Sequence, residues 1–190
     1  MRHHRADVVA RALVVLDTYG LADLTMRRLG AELGVQPSAL YHHFANKQTL
    51  LAAVADEILA RGRRPAPGHA ERSTWDERVV ARCHELRDAL LAYRDGAEVV
   101  ATVHAFGLGA RAPYDDQLTA LRDAGLHDEL AVTATRTLLH FVFGHTTDEQ
   151  THLQAGSAGA ISGGPREGDD FGRGLALVVD GIGLRVGARR

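Results

Sequence analysis

Three sets of side chains in this sequence are of types, and at spacings, that can do chemistry. Between residues 25 and 47 stand Thr25, Arg27, Gln36, Pro37, Ser38, Ala39, Tyr41, His42, His43 and Lys47, the last being the only lysine of the chain. A threonine at a helix N-terminus can offer its hydroxyl and nearby backbone N–H groups to a phosphate. The tips of Tyr41, His43 and Lys47 can reach phosphate oxygens. Arg27 suits bidentate pairing with a guanine edge, and Gln36, Ser38, Ala39 and His42 suit base edges, on a helix that Pro37 opens. The second set is His140, His145, Asp148, Glu149 and His152. His145, Glu149 and His152 are spaced i, i+4, i+7 and would share one helix face. That is the one place where a metal-dependent hydrolase could be built, against the plainer expectation of polar residues decorating a helix end. The chain has no HExxH pattern and no serine–histidine–aspartate set on a catalytic turn. The third is Cys83, a single cysteine, which excludes an intrachain disulfide framework and a multi-cysteine zinc site. Its mid-helix place points to packing rather than redox sensing. No catalytic residue, resident metal or cofactor is expected.

Helices must position these residues. The 190-residue chain is 45% hydrophobic, enough for a sizeable core, but only 5% aromatic, so that core is built from Leu, Val and Ala. Arg136 and Asp180 interrupt the longest apolar runs, so no membrane span is expected. Asp7 and Arg11 break the stretch a secretory signal would need, which leaves a cytoplasmic protein as the expectation. The net charge is −2, yet it is unevenly spread. Residues 1–64 hold nine basic and six acidic side chains, and residues 65–190 hold thirteen and eighteen. A basic head on an acidic body suits a polyanionic partner.

Three-four spacing of Val9, Ala12, Leu13, Leu16 and Tyr19 predicts a first helix ending at Gly20. Thr25 as N-cap and Gly34 as stop bound a second. Gln36-Pro37 opens a short third, to about Phe44, and Asn46 caps a fourth through Leu50, Leu51, Val54, Ile58 and Leu59. Gly62 to Gly68 is a Pro/Gly linker. Thr74 to Glu77 have capping-box spacing and start a long helix through Leu86, Leu90 and Tyr93. Further helices are predicted from Ala97 to about Phe106, from Pro113 to Gly125, and from about Asp128 past Phe143. Residues 154–168, rich in Gly, Ser and Ala, are expected to form a mobile loop. Asp169 or Asp170 then caps a last helix, Phe171 to about Val186, apolar almost all round.

Gly34-Val35-Gln36, flanked by Leu29, Leu33 and Leu40, has helix-turn-helix spacing, with Leu29, Leu33, Leu40 and Phe44 as core. The string Leu24-Thr25-Met26-Arg27-Arg28-Leu29-Gly30-Ala31-Glu32-Leu33-Gly34-Val35, then Ser38 to Phe44, Asn46-Lys47 and Leu50-Leu51, closely resembles the DNA-binding domain of the tetracycline repressor (TetR) family. Trp75, Leu90-Leu91-Ala92-Tyr93-Arg94-Asp95-Gly96-Ala97, His140-Phe141 and Gly144 resemble the ligand-binding domain of the tetracycline repressors themselves. The similarity covers most of residues 1–150. It implies an all-α homodimer with a three-helix helix-turn-helix head, residues 1–64, and a ligand-binding and dimerisation domain, residues 65–190. The heads would bind a palindromic double-stranded DNA operator, and a small molecule in the body would release it. The implied protein is a transcription regulator, usually a repressor, and not an enzyme. A DNA-binding protein that answers to no ligand is the alternative.

In the tetracycline repressors, a histidine shortly after the Arg-Asp-Gly-Ala turn holds a metal-chelated drug. Aligned without gaps from Arg94, that position is Val100; two more pocket positions, Asn and Phe there, fall on Arg82 and Leu86. Without the imidazole, and with Arg82 adding positive charge, tetracycline–magnesium is not the expected effector. Asp148 falls where those repressors carry an acid near the metal. The expected cavity has Leu86, Val100, Val103, Leu121 and Phe141 as walls. Arg82, His104 (one helical turn after Val100), Gln117 and His140 are its polar handles. Arg82 suits an anionic or carbonyl oxygen, so the expected effector is largely apolar, carries an acidic or carbonyl group and needs no magnesium.

Overall fold

The computed structural model describes residues 3–63, 74–162 and 170–187, and among these the regular structure is all helix. In chain order the helices are α1 (Arg5–Tyr19), α2 (Met26–Leu33), α3 (Pro37–Leu40), α4 (Lys47–Gly62), α5 (Trp75–Leu91), α6 (Gly96–Ala105), α7 (Ala112–Asp123), α8 (Asp128–Ser157) and α9 (Asp170–Gly187). No helix among the described residues is long and apolar enough to cross a membrane. The chain divides into two compact units: Met1–Gly62 with Ala89–Ala110, and Arg63–Asp88 with Arg111–Arg190.

In the first unit, α1 buries Val8, Ala12, Leu13, Val15 and Leu16 on one stripe, and α2 to α4 close over it with Leu29, Leu40, Phe44, Leu50, Val54 and Ile58. Thr25 has an extended backbone and its hydroxyl accepts the Arg28 N–H at 3.1 Å, which starts α2. Gly34, at φ 67°, ends it, and the Val35 N–H returns to the Gly30 carbonyl at 2.9 Å. A side chain at Gly30 would put its Cβ 2.9 Å from that Val35 oxygen, so the tight turn needs glycine at both positions. Leu33, expected in the core, is half-buried: it is the last residue of α2, at the outer edge of the unit. Regular helix in α3 stops at Leu40, and Tyr41 to His43 continue as turns that bring Phe44 inward. Replacing Thr25 by Ala removes the α2 cap and should cost about 1 kcal/mol. A urea midpoint lowered at unchanged m-value would show this.

Two turns tie α1 and α4 to the α6 segment. Asp17 accepts the Arg94 N–H at 3.1 Å, and Asp95 accepts the Leu21 N–H at 2.6 Å. At the other end of α6, Asp56 accepts the Ala110 N–H at 2.8 Å. Asp95 holds this position with a left-handed backbone, φ 57°, uncommon for a residue with a side chain.

In the second unit, Thr74 donates its N–H to Glu77 at 2.8 Å, as the capping-box spacing requires, and α5 follows. The 30-residue α8 packs against α7 through Ala131, Ala134, Leu138, Leu139 and Val142. It runs on through Ser157, so residues 154–157 are helical rather than part of a loop. Gln150 is buried and residues 154–156 are half-buried, so tertiary packing carries the helix through weak formers. Helix α9 begins at Asp170 and buries Phe171, Leu175, Val179 and Ile182 on one face. Gly174 lets α9 approach closely, since a Cβ there would stand 2.8 Å from the Phe141 ring. Of the linker expected from Gly62 to Gly68, Gly62 is instead the last residue of α4, where a Cβ would meet Ala89, and residues 64–68 lie outside the described residues, as do residues 163–168 and the Asp169 cap.

Candidate nucleic-acid interface and effector site

The helix-turn-helix presents its polar residues outward. Arg27, Gln36, Ser38, Tyr41 and His42 are exposed, and Pro37, Ala39 and His43 are half-buried beside them. Tyr41, a large ring, is 52% exposed one residue beyond α3, a place that packing does not explain. The Thr25 oxygen is engaged as an acceptor by the Arg28 N–H, which leaves its hydroxyl proton to donate outward. Arg28, next to the candidate base reader Arg27, serves the fold instead. Its guanidinium lies 3.6 Å over the Tyr19 ring and pairs with Asp23 at 3.1 Å. Lys47 opens α4 behind the Asn46 cap, whose side chain accepts the Thr49 N–H at 2.9 Å. The Lys47 ammonium lies 3.4 Å from the Leu21 carbonyl, a weak bond that steers the side chain while leaving donors for a phosphate. Thr25 at the start of α2 and Lys47 at the start of α4 thus flank α3 with anion-seeking groups. The Asp17, Asp95 and Asp56 ties that hold this unit together were not singled out by residue type. The only sequence signal was the Arg94-Asp95-Gly96 turn itself.

The effector residues divide between the units. Val100 and Val103 are buried in the first unit, where His104 is half-buried with Nδ1 3.1 Å from the Ala110 carbonyl. In the second unit Leu86 and Leu121 are buried, Phe141 is half-buried and His140 is exposed. Arg82 lies 3.5 Å from Asp116, which Arg63 also meets at 3.1 Å. The positive charge expected of Arg82 is therefore partly offset by a carboxylate that it shares with Arg63. Gln117 is only 2% exposed and donates from Nε2 to the Val79 carbonyl at 3.3 Å and to Cys83 Sγ at 3.1 Å. Burial pushes the Cys83 thiol up to about 12, so it stays protonated and is a packing residue, with none of the thiolate character a redox sensor needs.

The histidine and acid set does not assemble as a metal centre. Glu149 pairs with Arg87, whose Nε lies 2.8 Å from Oε2 and whose second nitrogen meets the other carboxylate oxygen. His145 packs on aromatic rings, 5.7 Å from Phe141 and 5.3 Å from Phe171 between centroids. Among the described residues no three His, Cys, Asp or Glu side chains converge where a metal ion could be held.

Residues 8–54 match the bacterial regulatory proteins of the tetR family, and residues 66–167 match the tetracyclin repressor-like C-terminal domain. The chain belongs to the TetR family. It is 35% identical to the tetracycline repressor protein class A from transposon 1721 of Escherichia coli over 94% of this chain and 89% of that one. Among solved structures, Mycobacterium smegmatis BioQ is 43% identical with a TM-score of 0.83, covering 96% of this chain and 99% of that chain. A structure of BioQ with its natural double-stranded DNA operator is 42% identical, with a TM-score of 0.80 and the same coverage. Members of the TetR family are ligand-responsive DNA-binding regulators, and this chain is a transcription regulator rather than an enzyme. Family membership and the dispersed acid–histidine set together leave the hydrolase alternative without support.

Proposed function

We propose that this chain is a cytoplasmic, homodimeric repressor that holds a palindromic operator through Thr25, Arg27, Gln36, Pro37, Ser38, Ala39, Tyr41, His42, His43 and Lys47. It lets go when an organic effector binds without metal. The observation that carries the reading is the outward display of Arg27, Gln36, Ser38, Tyr41 and His42 on one rigid helix-turn-helix, flanked by Thr25 and Lys47. Thr25, Tyr41, His43 and Lys47 grip phosphates, and the others read base edges. A relative solved with its DNA operator supports the same partner for this chain.

Dimerisation is supported by α9, where Leu177 and Leu184 are 76% and 77% exposed and stand two turns apart on one face. Gly181 lies exposed between them, with nothing beyond its own helix backbone and chain neighbours within 4 Å of where its Cβ would be, and Gly144 on α8 is equally open. Glycine inside a helix costs about 1 kcal/mol relative to alanine, which close approach of a second copy's helices would repay. A self-complementary interface of this kind should bury on the order of 2,000 Å².

The effector reading rests on Val100, a buried aliphatic that offers no metal bond. A DNA duplex selected from a randomised pool by the purified dimer, labelled for fluorescence anisotropy, tests the reading. Micromolar tetracycline should leave the complex intact with or without magnesium. Magnesium-dependent release would make this chain a tetracycline–metal sensor. A screen in which no small molecule releases the duplex would favour the ligand-independent alternative.

A further inference from the structure

We propose that Arg5 is a further operator contact, and that its guanidinium, set over the Phe44 ring, binds one phosphate of the DNA backbone in each half-site. This rests on the repressor reading above and extends its DNA-binding surface from the helix-turn-helix to the N-terminal segment His3–Arg5. Arg5 is the first residue of α1 and is exposed, and its Cζ atom lies 4.7 Å from the centroid of the Phe44 ring. Phe44 itself is 2% exposed and follows His43 directly, so the ring is a fixed platform at the end of the recognition segment. A cation held over a ring spends no hydrogen bond on it, so its five N–H donors stay available for an acceptor. Among the described residues none of those donors is hydrogen-bonded and no carboxylate pairs with Arg5. Two other arginines of the same unit are neutralised, Arg28 by Asp23 and Arg61 by Glu57. Asp7, the acid nearest to Arg5 in sequence, turns its carboxylate back to accept the His4 N–H at 2.7 Å.

A second contact fixes the segment from its other side. His3 Nε2 lies 3.1 Å from the Leu33 carbonyl, which can only accept, so the imidazole donates there. Leu33 is the last residue before the Gly34 turn, and Phe44 is the first after the Tyr41 to His43 turns. Residues 3 and 5 therefore touch both ends of the stretch 34–43 that displays the base-reading side chains. An arginine already held in place loses less side-chain freedom on binding than a free one, and a guanidinium can meet a phosphate through two parallel N–H bonds. The site adjoins His43 and stands three residues before Lys47 along the chain, so a phosphate bound at Arg5 continues the backbone track assigned to those two side chains.

The test measures operator binding by the full-length dimer from about 50 to 200 mM salt, on the selected duplex and on a scrambled duplex of equal length. The variants are Arg5→Gln and Arg5→Met, which remove the charge while keeping a stem against Phe44, and Arg5→Lys, which keeps the charge. Folding of each is checked by its circular-dichroism melt. Both uncharged variants should weaken binding on the order of tenfold or more, on the two duplexes alike. They should also make the slope of log K against log salt shallower by about 2, from about 0.9 per phosphate and two heads. Arg5→Lys should restore most of that slope while losing the two-pronged contact. A loss without a change of slope would make Arg5 a brace for Phe44, and a loss confined to the selected duplex would make it a base reader. Either result overturns the proposal, as does a slope that lysine fails to restore. A natural dimer that binds no duplex overturns the repressor reading together with this one. A natural dimer whose steep slope survives both uncharged substitutions overturns the Arg5 assignment alone.

Discussion

Placing a carboxylate at both exposed leucines of α9, Leu177→Asp with Leu184→Asp, should give a folded monomer that binds its operator roughly a hundredfold or more too weakly. Neither leucine contributes to the core of its own chain, since the buried face of α9 is Phe171, Leu175, Val179 and Ile182. The substitutions therefore leave the protomer intact while setting like charges against each other across a two-fold axis. The loss in DNA affinity arises because two heads on one dimer engage the second half-site intramolecularly, and a monomer forfeits that effective concentration. Sedimentation and anisotropy read the two effects independently. A variant that stays dimeric would place the interface elsewhere.

Operator affinity should also fall steeply with salt. If each head neutralises about three or four phosphates, log K against log salt should slope at about −6, which is a loss of about 10³–10⁴-fold between 50 and 200 mM. Lys47→Ala, by deleting one contact per head, should make the slope shallower by about 2 and weaken all sequences alike. Arg27→Ala should instead relax base preference, at a cost of about 1–3 kcal/mol for the preferred sequence over its single-base variants. A slope near zero would remove the phosphate roles of Thr25, Tyr41, His43 and Lys47 together.

Local chemistry makes the head legible in the sequence. Thr25 can be placed as a cap because a hydroxyl one residue before an apolar run has one good use, and Gly34 as a stop because few other residues accept φ 67°. The Thr74–Glu77 box was readable for the same reason. What escaped was whatever depends on a partner far along the chain. Small residues at 154–157 look like a loop by composition, yet packing around Gln150 keeps them in α8. Arg82 looks like an open cation until Asp116, 34 residues on, is found beside it. The spacing of His145 and Glu149 is that of a metal site, but Phe171 and Arg87 arrive from other helices and claim them.

The bonds from Asp17 to Arg94 and from Asp95 to Leu21 span 77 and 74 residues of sequence within one compact unit. The helix-turn-helix is therefore a discontinuous cassette, completed by a segment that arrives after an excursion through the rest of the chain. Chimeras that exchange recognition specificity by cutting after α4 would sever both bonds and the Asp56 tie to Ala110. A transplant that keeps its grip on DNA must carry Ala89–Ala110 along with residues 1–62. Natural recombination between regulators of this kind meets the same constraint, since one crossover near residue 62 pairs each head with a foreign half of its own scaffold.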